Sequence, residues 1–283
     1  NDFEMKATTF HGLEDVLVNE LLKLGAKNIE PFKRGVAFTG DKGFLYKANL
    51  CLRTALKVLV PLFSFHAEDE HELYENLKKY EWEKLLGTED TIAINATVNS
   101  EVFNHSLYIS QKTKDAICDR FVEKFSVRPD VNLDNPTIRI YIHIFKNYVS
   151  VNLDSSGDSL FKRGYRVDID TAPMKEVLAA GMVLLSNWQP HLPLIDGMCG
   201  SGTLGIEAAM FANNIPPGVF REEFGFMKWR DFDKELWDTI YDSCINRIKD
   251  DMPNIISSDI DIVPLEMAKR NGAVAKVDDV IHY

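Results

Sequence analysis

Residues 194–210 read LIDGMCGSGTLGIEAAM: a short apolar run ends in an acid, Asp196, three glycines fall within Gly200–Gly205, and a helix-forming run follows. Glycine gives up more backbone entropy on folding than any other residue, so such a loop persists where the chain turns sharply or something approaches its backbone. Gly200, Gly202 and Gly205 match G-x-G-x-x-G, a dinucleotide fingerprint that is weak when alone. No Gly-Lys-Ser/Thr follows, which excludes a triphosphate-binding P-loop. A pyrophosphate over this helix N-terminus would be favoured by its free N–H groups and dipole, but an acid one residue before the loop would repel it. Asp196 suits a cationic ligand better. S-adenosylmethionine carries a sulfonium and an ammonium, so Asp196 can assist its methionine end while the glycines admit its body. Asp259, at the end of the next strand, can accept hydrogen bonds from both ribose hydroxyls, with Ile260 or Asp261 beside the adenine. The expected cofactor residues are therefore Asp196, Gly197, Cys199, Gly200, Gly202, Thr203, Asp259, Ile260 and Asp261. The competing reading is an unoccupied turn with an Asp helix cap.

Lys162, Arg163 and Arg166, interleaved with Phe161 and Tyr165, form the densest basic-aromatic patch of the chain. Cations meeting phosphates and rings stacking on unpaired bases are what RNA contact requires, so Lys162, Arg163, Tyr165 and Arg166 are the expected RNA-binding residues. The alternative is a solvated linker whose cations pair with Asp158, Asp168 and Asp170. Cys199 sits where a helix N-terminus lowers a thiol pKa, but no histidine is placed to activate it, and a small packing residue is the better reading. His143, on the face opposite the isoleucines of its strand, reads as a sheet-surface residue.

These residues need elements to hold them. A strand to Ala7, a helix with Leu13, Val16, Leu17, Leu21 and Leu24 on one face, strands Asn28–Phe32 and Gly35–Thr39 and a helix from about Asp41 to Leu59 make a βαββα unit. A second α+β unit follows: an acidic helical stretch over Glu68–Lys84, an alternating strand Ile92–Val98, a helix over Leu107–Phe125, and alternating strands Ile138–Ile144 and Val149–Leu153. Residues 155–173 are rich in turn formers and read as a linker. From Pro173 a helix runs to about Trp188, and strands then alternate with helices, pointing to a parallel sheet. The expected organisation is a small α+β unit over 1–62, a second α+β unit over 63–155, a linker over 156–173 and, over 174–283, strands alternating with helices on a mainly parallel sheet.

With 283 residues, 45% of them apolar and 27% charged, the chain can bury real cores. The longest near-apolar run, Val177–Leu185, is too short for a membrane helix, which needs roughly 20 residues. No basic-then-apolar leader opens it. Cys51, Cys118, Cys199 and Cys244 are scattered without zinc spacing, so a reducing cytoplasm and no metal are expected. The net charge of −11 argues against non-specific nucleic-acid binding. It is uneven, −4 over residues 1–170 and −7 over 171–283, so a polyanion would meet the first part.

SGDSLFKRGYR, APMKEVLAA and LIDGMCGSGTLGIEAAM together resemble the THUMP-domain RNA methyltransferases, closest to the bacterial large-subunit ribosomal RNA guanine-N2 methyltransferases often labelled N6-adenine-specific DNA methylases. The similarity covers essentially the whole chain. ATTFHGLEDVLVNELLKLGAK is similar to that family's ferredoxin-like unit, TKDAICDRF and RPDVNLDNPTIRIYIHI to its THUMP domain, and ISSDID with AKRNGAVAKVDDVI to its second catalytic-domain strand and following helix. The resemblance implies an incomplete Rossmann-like catalytic domain, S-adenosylmethionine as cofactor, ribosomal RNA as partner, and direct methyl transfer to an exocyclic amine of guanine. The family has Asp-Pro where this chain has Asp196-Gly197 and His where it has Phe161. Its Asn/Asp-Pro-Pro-Tyr catalytic motif follows the fourth strand, beyond Tyr283. Lys175 and Glu176 open the helix matching the cofactor-flanking segment, without a definite role. The other readings are a nicotinamide-dependent oxidoreductase, for which Glu222 and Glu223 lie at the right distance but in a proline-rich insertion, and a non-catalytic RNA-binding adaptor.

Overall fold

The computed structural model describes residues 1–168 and 173–283, and the chain divides into two compact units: residues 1–58, 158–223 and 233–283 form one, and residues 59–157 and 224–232 the other. Asp170, one of the acids expected to pair with the linker cations, lies outside the described residues.

The first unit opens with β1 (Phe3–Thr8), α1 (Glu14–Leu24), β2 (Lys27–Phe32), β3 (Gly35–Gly40) and α2 (Lys42–Cys51). The strands form an antiparallel sheet in the order β2-β3-β1. α1 buries Val16, Leu17 and Leu21 and stops at Gly25, whose N–H reaches back to the Leu21 and Leu22 carbonyls, as a left-handed helix end does. The helix expected to run from Asp41 to Leu59 ends instead at Cys51. Leu52 is extended, and the half-buried Glu20 carboxylate accepts the next two backbone N–H groups, Arg53 at 2.8 Å and Thr54 at 3.0 Å. A side chain from α1 thus takes the donors that another helical turn would have used. The run VLVPLFSF then becomes strand, as its β-branched and aromatic content favours.

That strand, β4 (Lys57–His66), leads into the second unit with α3 (Glu70–Lys79), β5 (Thr91–Asn99), α4 (Ser106–Phe125), β6 (Asp130–Val131), β7 (Ile138–Phe145) and β8 (Tyr148–Asp154). The strand order is β4-β8-β7-β5-β6, with β8 antiparallel to β4 and β7 and β5 parallel to β7 and β6. Pro61 is tolerated in β4 because the pairing with β8 slips register just after it. Ile138, Ile140, Ile142 and Ile144 all point into one core with Val149, Val151, Ile117 and Phe121, and His143 lies exposed on the opposite face, as alternation requires.

The chain returns to the first unit through α5 (Glu176–Leu185), β9 (Leu194–Asp196), α6 (Thr203–Ala212), α7 (Lys234–Ile245), β10 (Ile255–Ser257), α8 (Ile262–Val274) and β11 (Ile281–His282). The three strands are parallel in the order β11-β10-β9. α6 is apolar almost all round and buries Gly205 to Met210 without a break, which makes it the spine of this core. Among the described residues no helix is long and apolar enough to cross a membrane.

Candidate functional site

The carboxyl ends of two adjacent parallel strands form the site. β9 and β10 pair from Leu194↔Ile255 to Asp196↔Ser257, and the pairing continues into the loops: Ser258 N–H donates to the Asp196 carbonyl at 2.8 Å and Cys199 N–H to the Ser258 carbonyl at 2.9 Å. Parallel register therefore brings Asp196 and Asp259 together although 63 positions separate them in sequence. Open α/β sheets bind ligands at such strand ends.

The glycines divide into two kinds. A Cβ on Gly202, whose φ is +84°, would lie 2.8 Å from the Ala268 Cβ, and one on Gly205 would lie 2.5 Å from the Ser257 Oγ. Those two let α6 seat against α8 and β10. Gly197 and Gly200 have nothing within 4 Å of such a position, so the backbone there faces open space.

Gly200 is tied to the second acid, its N–H donating to Asp259 Oδ2 at 2.9 Å, while Asp261 N–H donates to Oδ1 at 3.0 Å. These bonds hold the Asp259 carboxyl below its ordinary range, the Asp261 N–H contributing most. Asp196 behaves oppositely: burial, with a smaller push from Asp259, raises its carboxyl against the Met198 N–H that stabilises the ion. Among the described residues no lysine or arginine pairs with either carboxyl. Burial, then Asp196 and Asp259, push the Cys199 thiol up to about 11. Cys199 is buried, with its N–H tied to the Ser258 carbonyl, as a packing residue is. Asp261 caps α8 by accepting Val263 N–H at 3.0 Å, Ile260 is fully exposed, and Thr203 is buried at the start of α6.

Burial corrects the RNA-binding expectation for the segment before α5. Arg163 and Tyr165 are each only 1% exposed. Arg163 pairs with the buried Glu207 of α6, Nε to Oε1 at 3.3 Å and Nη2 to Oε2 at 3.4 Å, and also donates to the Leu160 and Arg53 carbonyls. The Tyr165 hydroxyl donates to the same Glu207 Oε1 at 3.1 Å. Neither residue is exposed to meet a polyanion: Arg163 is buried with its counter-ion, which a desolvated ion holds strongly, and Tyr165 is buried with its hydrogen-bond acceptor. Arg166 also turns inward, with Nε on Glu176 Oε1 at 2.8 Å, Nη1 on Ser201 Oγ at 3.0 Å and Nη2 on Thr203 Oγ1 at 2.8 Å. Lys162 alone of the four remains on the surface, paired with Asp158 at 3.0 Å.

The segment is a brace for the glycine turn. The fully buried Asn271 of α8 completes it: its Oδ1 accepts Val167 and Asp168 N–H, and its Nδ2 donates to the Ser201 carbonyl at 3.1 Å. Glu176 thereby gains a role as the counter-ion of Arg166, and Lys175 lies over the rings of Phe161 and Phe10. Sequence reasoning missed Glu207 and Asn271. The signal for Glu207 was available: one acid inside the apolar run LGIEAAM is a charge that must be paired where it is buried.

The chain matches three family descriptions in succession: the RlmL ferredoxin-like domain over residues 4–59, the THUMP domain over 67–154 and the RMKL-like methyltransferase domain over 163–283. It is 37% identical over 278 residues to slr0064 of Synechocystis sp. PCC 6803, whose name gives RNA methyltransferase as an inferred activity, covering 98% of this chain and 72% of that protein. A Listeria monocytogenes structure described as an N6-adenine-specific DNA methylase by inference aligns with a TM-score of 0.88 and 33% identity, over 100% of this chain and 74% of that one. SMU.472, described as an inferred methyltransferase and crystallised with SAH, aligns at 0.87 and 32% identity over 99% and 74%. The nicotinamide-dependent reading of the glycine loop falls with these matches. A ferredoxin-like unit, a THUMP domain and a methyltransferase domain in this order place the chain in the RMKL-like, THUMP-containing methyltransferase family.

Proposed function

We propose that the loop between β9 and α6, with Asp259, binds S-adenosylmethionine, and that the protein methylates an exocyclic amine of a base in RNA, the N2 of a guanine in large-subunit ribosomal RNA. One observation carries the cofactor assignment: two strand-end carboxyls without a cationic partner flank a glycine backbone that is open to a ligand. Such a set of acceptors fits a ligand bearing positive charge and vicinal hydroxyls, and disfavours a pyrophosphate. The SAH in SMU.472 supports it.

When bound, S-adenosylmethionine supplies a methyl group made electrophilic by its sulfonium. The residues of this chain hold rather than react. Asp196 attracts the cationic methionine end. Asp259 keeps a lone pair on each oxygen for the ribose hydroxyls after accepting its two backbone donors. Gly197 and Gly200 leave room, and the brace from Arg163 to Asp168 fixes the turn so that little order is lost on binding. Much of the rate of such a transfer comes from positioning, and a base must leave its stack to be reached.

The THUMP match and the name of the Synechocystis relative support an RNA substrate. The test is transfer of labelled methyl from S-adenosylmethionine by the intact protein, offered large-subunit ribosomal RNA and, in a parallel reaction, genomic DNA, both from cells lacking the gene, with the modified nucleoside identified. Label in N2-methylguanosine is expected. Label in N6-methyladenine of DNA, with none in RNA, overturns the assignment.

A further inference from the structure

Two of the four cysteines, scattered in sequence, meet in the fold. Cys51 is the last residue of α2 and Cys244 lies in the last turn of α7, 193 positions on, yet the Cys51 Sγ–H points at the Cys244 Sγ from 3.5 Å. The two helices are tied along their length: the rings of Tyr46 and Trp237 meet edge to face with centroids 6.1 Å apart, and Asp233 N–H at the start of α7 donates to the Tyr46 hydroxyl at 3.0 Å. A cysteine pair held this way needs little further approach to bond.

We propose that Cys51 and Cys244 form a two-cysteine oxidation site that reacts with peroxides and closes to a disulfide joining α2 to α7. The Cys244 thiolate attacks a peroxide oxygen. An S–O bond forms as the O–O bond breaks, Cys244 is oxidised to a sulfenic acid, and the peroxide is reduced and leaves as hydroxide or alkoxide. The Cys51 sulfur then attacks the Cys244 sulfur. The S–S bond forms, the S–O bond breaks, and the departing hydroxide takes the Cys51 proton to leave as water.

The two thiols are unequal in the way this order requires. The hydrogen bond from Cys51 to Cys244, helped by Lys47 and Arg247, lowers the Cys244 thiol to about 7 against the opposing effect of burial. The same hydrogen bond, with burial, pushes Cys51 well above its usual value. The direction of the hydrogen bond, Cys51 donating and Cys244 accepting at 3.5 Å, thus assigns Cys244 as the attacking thiolate and Cys51 as the resolving thiol. Cys199, as buried as Cys244 but bonded to a backbone carbonyl rather than a thiol, and the fully buried Cys118, likewise bonded to a carbonyl, serve as internal references without a resolving partner.

The test treats the full chain with hydrogen peroxide under native conditions, alkylates it after denaturation and maps the four cysteines. Cys51 and Cys244 are expected to lose alkylation together and to appear as one linked peptide that a dithiol separates. Cys118 and Cys199 are expected to remain alkylated. A Cys51→Ser variant, which keeps the size of the side chain, should give a Cys244 sulfenic acid that a dimedone-type probe traps, and no linked peptide. A disulfide enclosing so long a loop should also raise the melting temperature. Persistence of both thiols at a peroxide level that oxidises Cys199, or oxidation of Cys51 and Cys244 without a linked peptide, overturns the proposal.

Discussion

The glycine turn and the segment before α5 looked alike at the start, each a short stretch with chemistry to offer, but the fold treats them oppositely. The turn keeps Gly197, Gly200 and the Asp259 carboxyl open to solvent. The segment sinks Arg163 and Tyr165 against Glu207 and turns Arg166 onto Ser201 and Thr203. The difference is that the carboxyls of the turn meet only backbone N–H groups and no cation, while the arginines of the segment meet a carboxylate and several other acceptors. Carboxyls without a counter-ion beside open backbone are what the proposed cofactor site requires, and fully partnered arginines are what a scaffold requires.

The largest effect separating the two should come from the brace. Glu207→Gln leaves Arg163 buried without its counter-ion and should cost about 3–5 kcal/mol of stability, read by urea denaturation. A loss of RNA affinity without a loss of stability would return Arg163 to the surface role first expected of it. Asp259→Ala should do the reverse, weakening S-adenosylmethionine binding about tenfold or more, the scale of charged hydrogen bonds, while the denaturation midpoint barely moves. Arg166→Gln should weaken the cofactor several-fold by loosening Ser201 and Thr203. Its RNA affinity should keep the wild-type salt slope, because a phosphate contact is what a change in that slope reports.

A subtler effect follows from the carboxyls. Asp196 is raised and Asp259 lowered from the ordinary aspartate value of 3.8. On acidification Asp196 takes up its proton first, at a pH above that value, and the pocket loses the charge facing a cation. S-adenosylmethionine affinity should therefore fall on mild acidification and be flatter with pH in Asp196→Asn, as isothermal titration across the acid range would show. Smallest of all, Lys162→Ala should leave stability within about 1 kcal/mol, the scale of an exposed pair.

Much of this architecture was legible beforehand because it rests on local rules. Alternation gave β7 and β8, helical spacing gave α1 and α4, and an acid before glycines marked the turn after β9. What stayed hidden depends on partners far along the chain. Nothing near KRGYR announces that Glu207 and Asn271 will bury it, so the same residues that stack on RNA elsewhere read as a binding patch. The early end of α2 was hidden for the same reason, since the Glu20 carboxylate that stops it sits on another helix. Gly202 and Gly205 are also required by packing against Ala268 and Ser257, which explains why a G-x-G-x-x-G pattern alone discriminates poorly between cofactors.

The most direct measurement is calorimetric titration of this chain with S-adenosylmethionine and, in parallel, with NADH. Saturable binding of S-adenosylmethionine and no heat from NADH is the result expected of two carboxyls without a counter-ion beside an open glycine turn. Saturable binding of NADH with none of S-adenosylmethionine would contradict it.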